Sequence, residues 1–186
     1  MPLQLLRRKF TVKQYHQMVE AGILTENDRV ELIKGEIVEM TPIGRRHAAY
    51  VARFVQLLII RLGQRAIIWP QNPIELDDTS EPQPDVTLLQ PRTDFYESGH
   101  PQPQDILLII EVADTTVESD REIKIPLYAE NGIIEVWLVD INEQCIEVYR
   151  EPSPNGYQNI QRFVRGQNLS ILAFPEIIIS VDEVLG

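Results

Sequence analysis

The 186-residue chain has one cysteine, only 17 basic side chains against 28 acidic ones, and no long uncharged apolar run. A single cysteine, Cys145, excludes an intrachain disulfide and any Cys-rich zinc site. It follows a strand pattern beginning at Glu135, where a small buried hydrophobe is expected rather than a reactive thiol. No segment approaches the ~18 apolar residues that span a bilayer, so no membrane partner is expected. Residues 1–10 turn charged after a short apolar run and lack the basic, apolar, small-residue order of a signal peptide. The cytoplasm is the expected location. The net charge of -11 repels polyanions at long range. A nucleic-acid partner would therefore need a local basic lining or metal ions.

What is present is enough for a core. With 44% hydrophobic residues, the chain is expected to form one domain over 1–186. Thr11 as N-cap and Gly22 as stop predict a helix over 12–21, with Val12, Tyr15, Met18 and Val19 as its apolar stripe. Residues 29–40 read as a hairpin turning at Lys34-Gly35, expected to cover an edge of the central sheet. A long amphipathic helix is expected over 47–62, then strands over 66–69 and 85–89. The proline-bearing stretch 90–105 is the expected flexible flap. Residues 106–112 are apolar almost throughout, as in a central strand covered on both faces. Ser119 and Glu122 have capping-box spacing for a helix that Gly132 stops, and Pro126 inside it should kink the axis. Strands over 134–139 and 145–150 and a tail over 169–184 complete a mixed α/β layer structure.

The chemistry-bearing residues are Asp85, Glu111 and Lys124. Asp85 opens one apolar strand and Glu111 ends another, and carboxylates are rarely buried without a partner. Each is thus either neutralised by a basic group or waiting for a cation. Asp120, Lys124 and Tyr128 recur at i, i+4, i+8, which places them on one helix face and lets Asp120 pair with Lys124. If that face meets the sheet edge favoured by ligands, Lys124 reaches the space between the acids. Two carboxylates and a backbone carbonyl such as that of Val112 suit Mg²⁺, with Mn²⁺ as a substitute, and metal-assisted phosphodiester hydrolysis. Lys124 would orient or help deprotonate a water and offset charge on the phosphate. Burial beside a cation would depress its pKa, and the carboxylates would raise it. The bland reading, in which Asp85 caps a turn and Lys124 merely pairs with Asp120, accounts for the same spacing.

Taken as an ordered set, Glu31-Leu32-Ile33-x-Gly35-Glu36, His47, Gln83-Pro84-Asp85, Ile110-Glu111-Val112, Asp120-x-x-x-Lys124-x-x-x-Tyr128-Ala129 and Gly132-Ile133-x-Glu135-Val136-Trp137-Leu138-Val139-Asp140 resembles the Uma-type restriction endonuclease family. That family is abundant in cyanobacteria and belongs to the PD-(D/E)XK nuclease superfamily. The resemblance covers roughly 30–169. It implies a restriction-endonuclease-like core, a mixed central β-sheet flanked by helices, with metal-dependent nuclease chemistry. It places the two acidic ligands on Asp85 and Glu111. The superfamily's usual lysine would fall two residues past Glu111, where this chain has Ala113; branches that take it from the following helix point to Lys124. Glu36 and His47 match recurrent positions and are expected to support the site. Glu36 would hold a second metal or a water, His47 would bind phosphate or cap its helix, and Tyr128 would brace the site through its hydroxyl.

The implied activity is a Mg²⁺-dependent endonuclease acting on DNA. A homodimer is expected separately, from exposed hairpin edges and apolar residues, and its two sites would let a nuclease cut both strands. Two rival readings remain: a catalytically inactive nuclease fold serving protein or nucleic-acid association, and a metal-dependent hydrolase of a small phosphoester. Basic residues around the cleft would discriminate. Arg45 and Arg46, just before His47, are the best placed for nucleic-acid contact, with Arg121, Arg92 and Arg165 as further candidates. Phe95, Tyr96 and Phe174 are candidates to seal a dimer interface.

Overall fold

The computed structural model describes residues 6–186; the first half of the N-terminal stretch discussed above lies outside the described residues. The first helix, α1 (Val12–Glu20), opens with a capping box between Thr11 and Gln14. It buries Val12 and Tyr15, whereas Val19 is exposed. Strands β1 (Val30–Ile33) and β2 (Glu36–Glu39) pair antiparallel through a turn in which Lys34 (φ 47°) and Gly35 (φ 79°) are both left-handed. That geometry favours glycine at the second position. A Cβ on Gly35 would also lie 2.7 Å from the Lys9 Cβ. The hairpin forms its own two-stranded sheet rather than covering an edge of the central one. A bridge from Leu32 to Glu81 ties it to the loop that precedes Asp85.

The main sheet has six strands in the order β3-β4-β5-β6-β7-β8. These are β3 (Ile67–Pro70), β4 (Val86–Leu89), β5 (Ile106–Ala113), β6 (Glu135–Asp140), β7 (Cys145–Ser153) and β8 (Gly156–Val164). Only β5 and β6 run parallel, so the sheet is mixed, and a helical crossover joins them. On β5 the pleat sends Leu108, Ile110 and Val112 to one face and Ile109, Glu111 and Ala113 to the other. The first face packs under α2 (Arg45–Leu62), whose Val51, Phe54, Leu58 and Leu62 supply the apolar stripe. A closing hairpin, β9 (Asn168–Ile171) with β10 (Phe174–Ser180), and α5 (Val181–Leu185) complete that layer. Cys145 is buried on β7.

The opposite face is covered by the crossover: α3 (Val117–Ser119), a π-helical turn (Asp120–Lys124) and α4 (Ile125–Glu130), which follow without a break. No Ser119–Glu122 capping box forms, because the helix has already started at Val117. The expected kink is instead a change of winding. The amide of Ile125 donates to the Asp120 carbonyl, five residues back, immediately before Pro126, which has no amide to donate. Residues 90–105 are knit rather than a free flap. Arg92 and Ser98 both bond Asp94, and the buried Tyr96 donates its hydroxyl to the Gln90 carbonyl at 2.8 Å. Among the described residues, no helix is long and apolar enough to cross a membrane.

Candidate functional site

Asp85 enters the sheet just ahead of β4, and the antiparallel register of Val86 with Ile110 sets it opposite Glu111 on β5. Its Oδ2 accepts the amide of Val112 at 2.8 Å. The His47 Nε2, from the first turn of α2, lies 3.0 Å from both carboxylate oxygens. The helix opens two residues before His47, with Gly44 at its N-cap, so His47 does not cap it. Hydrogen bonding to Asp85 raises the His47 pKa, against desolvation, with Asp120 and Asp114 adding attraction. Among the described residues its buried Nδ1 has no partner, which opposes placing a second proton on the ring.

Glu111, 2% exposed, accepts the Tyr128 hydroxyl at 2.5 Å and has the Lys124 Nζ at 3.4 Å. Lys124 reaches a second carboxylate, Glu31 on β1, at 3.3 Å. Glu31 in turn accepts the amide of Gln83 at 3.0 Å, two residues before Asp85. The hairpin is thereby part of the cavity wall. Lys124 does not pair with Asp120 as spacing implied. The π turn shifts their relative positions, and Asp120 instead accepts the Thr116 hydroxyl at 2.7 Å.

Charge is unbalanced here. Burial alone would lower the Lys124 pKa, but Glu111, Glu31, Asp120 and Asp85 outweigh it and the pKa is raised. Lys124 is therefore an ammonium. Burial pushes the Glu111 carboxyl up against the pull of Lys124, with Asp120 and Asp85 adding to the rise. Asp120 is raised for the same first reason. Four carboxylates thus share one ammonium and one imidazole, a set that an added cation would stabilise. All of them line a cavity of about 600 Å³. Hard oxygen ligands in such an excess fit Mg²⁺, which takes one or two carboxylates and keeps several waters.

Other expected supports lie elsewhere. Glu36 sits on β2, away from the cavity, and pairs with Lys9 at 2.7 Å and Arg7 at 3.6 Å. Glu31, on the partner strand of the same hairpin, lines the cavity instead. The signal was available: Glu31 is the charge inside the apolar run Val30-Glu31-Leu32-Ile33, whereas Glu36 adjoins the turn. Arg46 holds the Asn142 side chain at 2.8 Å and the Ile141 carbonyl at 3.0 Å. Arg121 pairs with Glu147 at 2.8 Å, Arg92 with Asp94 and Arg165 with Asp182. Arg45 is exposed. Arg29 and Lys124 are the cavity's own cationic side chains.

A second group of ligating side chains, His16, Glu81 and His100, brings its ligand atoms within 4.8 Å of one another and could chelate a divalent metal. These residues lie far apart in the sequence, separated by loops that carry no metal-binding spacing.

A family model described as "Uma2: Putative restriction endonuclease" matches residues 12–182. Among solved structures, the chain is similar to a protein from Anabaena variabilis described as a "putative nuclease belonging to DUF820". The TM-score is 0.72 at 18% identity, covering 95% of this chain and 97% of that one, a likeness of fold. No curated protein matches the sequence.

Proposed function

This chain belongs to the Uma2 family, and on that premise we propose that it is a metal-dependent endonuclease that hydrolyses phosphodiester bonds in DNA. The observation that carries the proposal is the excess of buried carboxylate around Lys124 at the mouth of two adjacent strands. Asp85 and Glu111 would hold Mg²⁺, or Mn²⁺ in its place. That ion would supply Lewis-acid polarisation of the phosphate and a lowered pKa for a water. Val112 and His47 fix the Asp85 carboxylate, and Tyr128 fixes that of Glu111. Lys124, held as an ammonium, donates to the water or to a phosphate oxygen and offsets the charge that develops there. It is a poor base in this setting. We further propose that residues 1–186 act as one domain, as a homodimer in the cytoplasm.

One observation favours a smaller substrate. The cavity presents Glu31, Glu39, Asp85, Glu111, Asp114 and Asp120 against Arg29, Lys124 and His47, a lining that repels a polyanion until cations bind. A small phosphoester needs no extended basic track. Cleavage of single- and double-stranded DNA and of a chromogenic phosphodiester, each with Mg²⁺, Mn²⁺ or EDTA, separates the two readings. Asp85→Asn and Glu111→Gln should each lower the metal-dependent rate by about 10³-fold or more. Wild-type protein inert on every substrate, with no Mg²⁺ or Mn²⁺ binding that depends on these acids, would leave a non-catalytic association module.

A further inference from the structure

Outside the acidic cavity, three segments distant in sequence converge on one buried carboxylate. Glu81 is 4% exposed, and its backbone is fixed by exchanging hydrogen bonds with Leu32, at 2.8 and 3.3 Å. His16, from α1, places Nε2 at 2.6 Å from the Glu81 Oε2. The His100 ring stands edge-on to that of His16, with centroids 5.8 Å apart. His100 is itself anchored, since the neighbouring Pro101 carbonyl accepts the Glu75 amide at 2.8 Å. The His16 side chain is 39% exposed and lines a cleft with Glu20, Glu75 and Asp78, three acids against the single cation Lys13, an acidic approach to His16. A fixed carboxyl group thus faces two imidazoles, one at hydrogen-bond distance and the other edge-on to the first.

We propose that His16, Glu81 and His100 form a second metal site, selective for zinc-class divalent ions, that clamps α1 and the 90–105 loop to the segment carrying Asp85. Ligand chemistry sets the selectivity. Two imidazoles and one carboxylate suit Zn²⁺, and the all-oxygen set of the large cavity suits Mg²⁺. Tetrahedral coordination at about 2.0–2.2 Å separates neighbouring ligand atoms by roughly 3.3 Å. The present cluster brackets that spacing, with the His16–Glu81 pair tighter and all atoms within 4.8 Å. Binding an ion would require His16 to move off the Glu81 oxygen, because that pair is tighter than the coordination spacing. A water completes the fourth position. From Glu81 the chain runs through Gln83, bonded to Glu31, into Asp85, so the clamp holds the strand that supplies the first carboxylate of the other site.

The test uses untagged protein freed of metal with EDTA, titrated with Zn²⁺ against a chromogenic chelator and followed in parallel by thermal melting. One Zn²⁺ per chain is expected, with Tm raised by about 5–10 °C at a hundredfold excess over Kd and little response to Mg²⁺. Co²⁺ in place of Zn²⁺ should give the visible absorption of a four-coordinate ion. The double variant His16→Gln/His100→Gln should lose uptake, the melting shift and the Co²⁺ band. His100→Gln alone keeps the comparison readable should the double variant not fold. Asp85→Asn/Glu111→Gln should retain all three signals, which separates this site from the nuclease reading. Absence of stoichiometric uptake, uptake surviving the loss of both histidines, or uptake lost only with the acids of the large cavity would each overturn the proposal.

Discussion

Two buried glutamates lie towards opposite ends of the parallel β5–β6 pair, and they are treated in opposite ways. Glu135, fully buried at the start of β6, has both oxygens occupied. Arg150 donates to Oε1 at 2.6 and 2.9 Å, Trp137 donates to the same oxygen at 2.9 Å, and the Leu172 amide bonds Oε2 at 2.7 Å. Its counter-charge is its own. Glu111, near the end of β5, shares one ammonium with Glu31 and adjoins Asp85 and Asp120. The first arrangement completes a structure, and the second leaves charge unanswered beside an open cavity. Burial alone does not identify a functional carboxylate. What distinguishes the proposed metal-holding carboxylate from the structural one is the count of donors around it.

The sharpest way to break that contrast is to remove each partner cation. Arg150→Met leaves Glu135 buried with neutral donors only and should cost about 3–5 kcal/mol in urea unfolding, with activity per folded molecule retained. Lys124→Met should cost less, about 1–2 kcal/mol, because Glu111 can take up a proton in place of its partner. The sign follows from the raised Glu111 pKa. Ionisation is disfavoured in the folded state, so stability falls as pH rises from the ordinary carboxylate range through the raised value. The Lys124→Met deficit should therefore be smaller at pH 5 than at pH 9. An equal deficit at both would mean that Glu111 stays ionised without Lys124.

The smallest effect tests His47. Its folded pKa is raised, so the stabilisation it gains from Asp85 is complete below the unfolded value near 6.5 and is lost as pH rises through the folded one. His47→Gln should unfold about 1 kcal/mol more easily at pH 5.5, with the gap narrowing by pH 9. A gap that widens with pH would mean that the pair works through neutral imidazole.

Much of this site was legible in sequence because it rests on local rules. A proline delivers Asp85 to a strand, an apolar run ends in Glu111, and a helix follows with Lys124 and Tyr128 on the face toward the sheet. The structure gathers these residues about one cavity. What was not legible depends on tertiary placement. Glu31 and Glu36 share a hairpin, and only the packing of that hairpin on the 79–85 loop decides that Glu31 faces Lys124 while Glu36 faces Lys9. The arginines read as free basic groups are mostly engaged by carboxylates whose proximity no spacing encodes, Glu147 for Arg121 among them. His16 and His100 stayed unpaired in the sequence because 84 residues and several loops separate them, and Glu81 gathers them only in the folded chain.

The π turn at Asp120–Lys124 has a consequence in helical phase. A π turn is an α-helix with one residue inserted, and each residue of an α-helix turns the chain by about 100°. Rewinding the same residues as ordinary α-helix, with none removed, would rotate Thr116 and Asp120 by roughly that angle relative to Lys124 and Tyr128. Every side chain would survive and the constellation would not. In this stretch helical winding decides which side chains meet, and the candidate constellation depends on it as much as on the identity of Lys124.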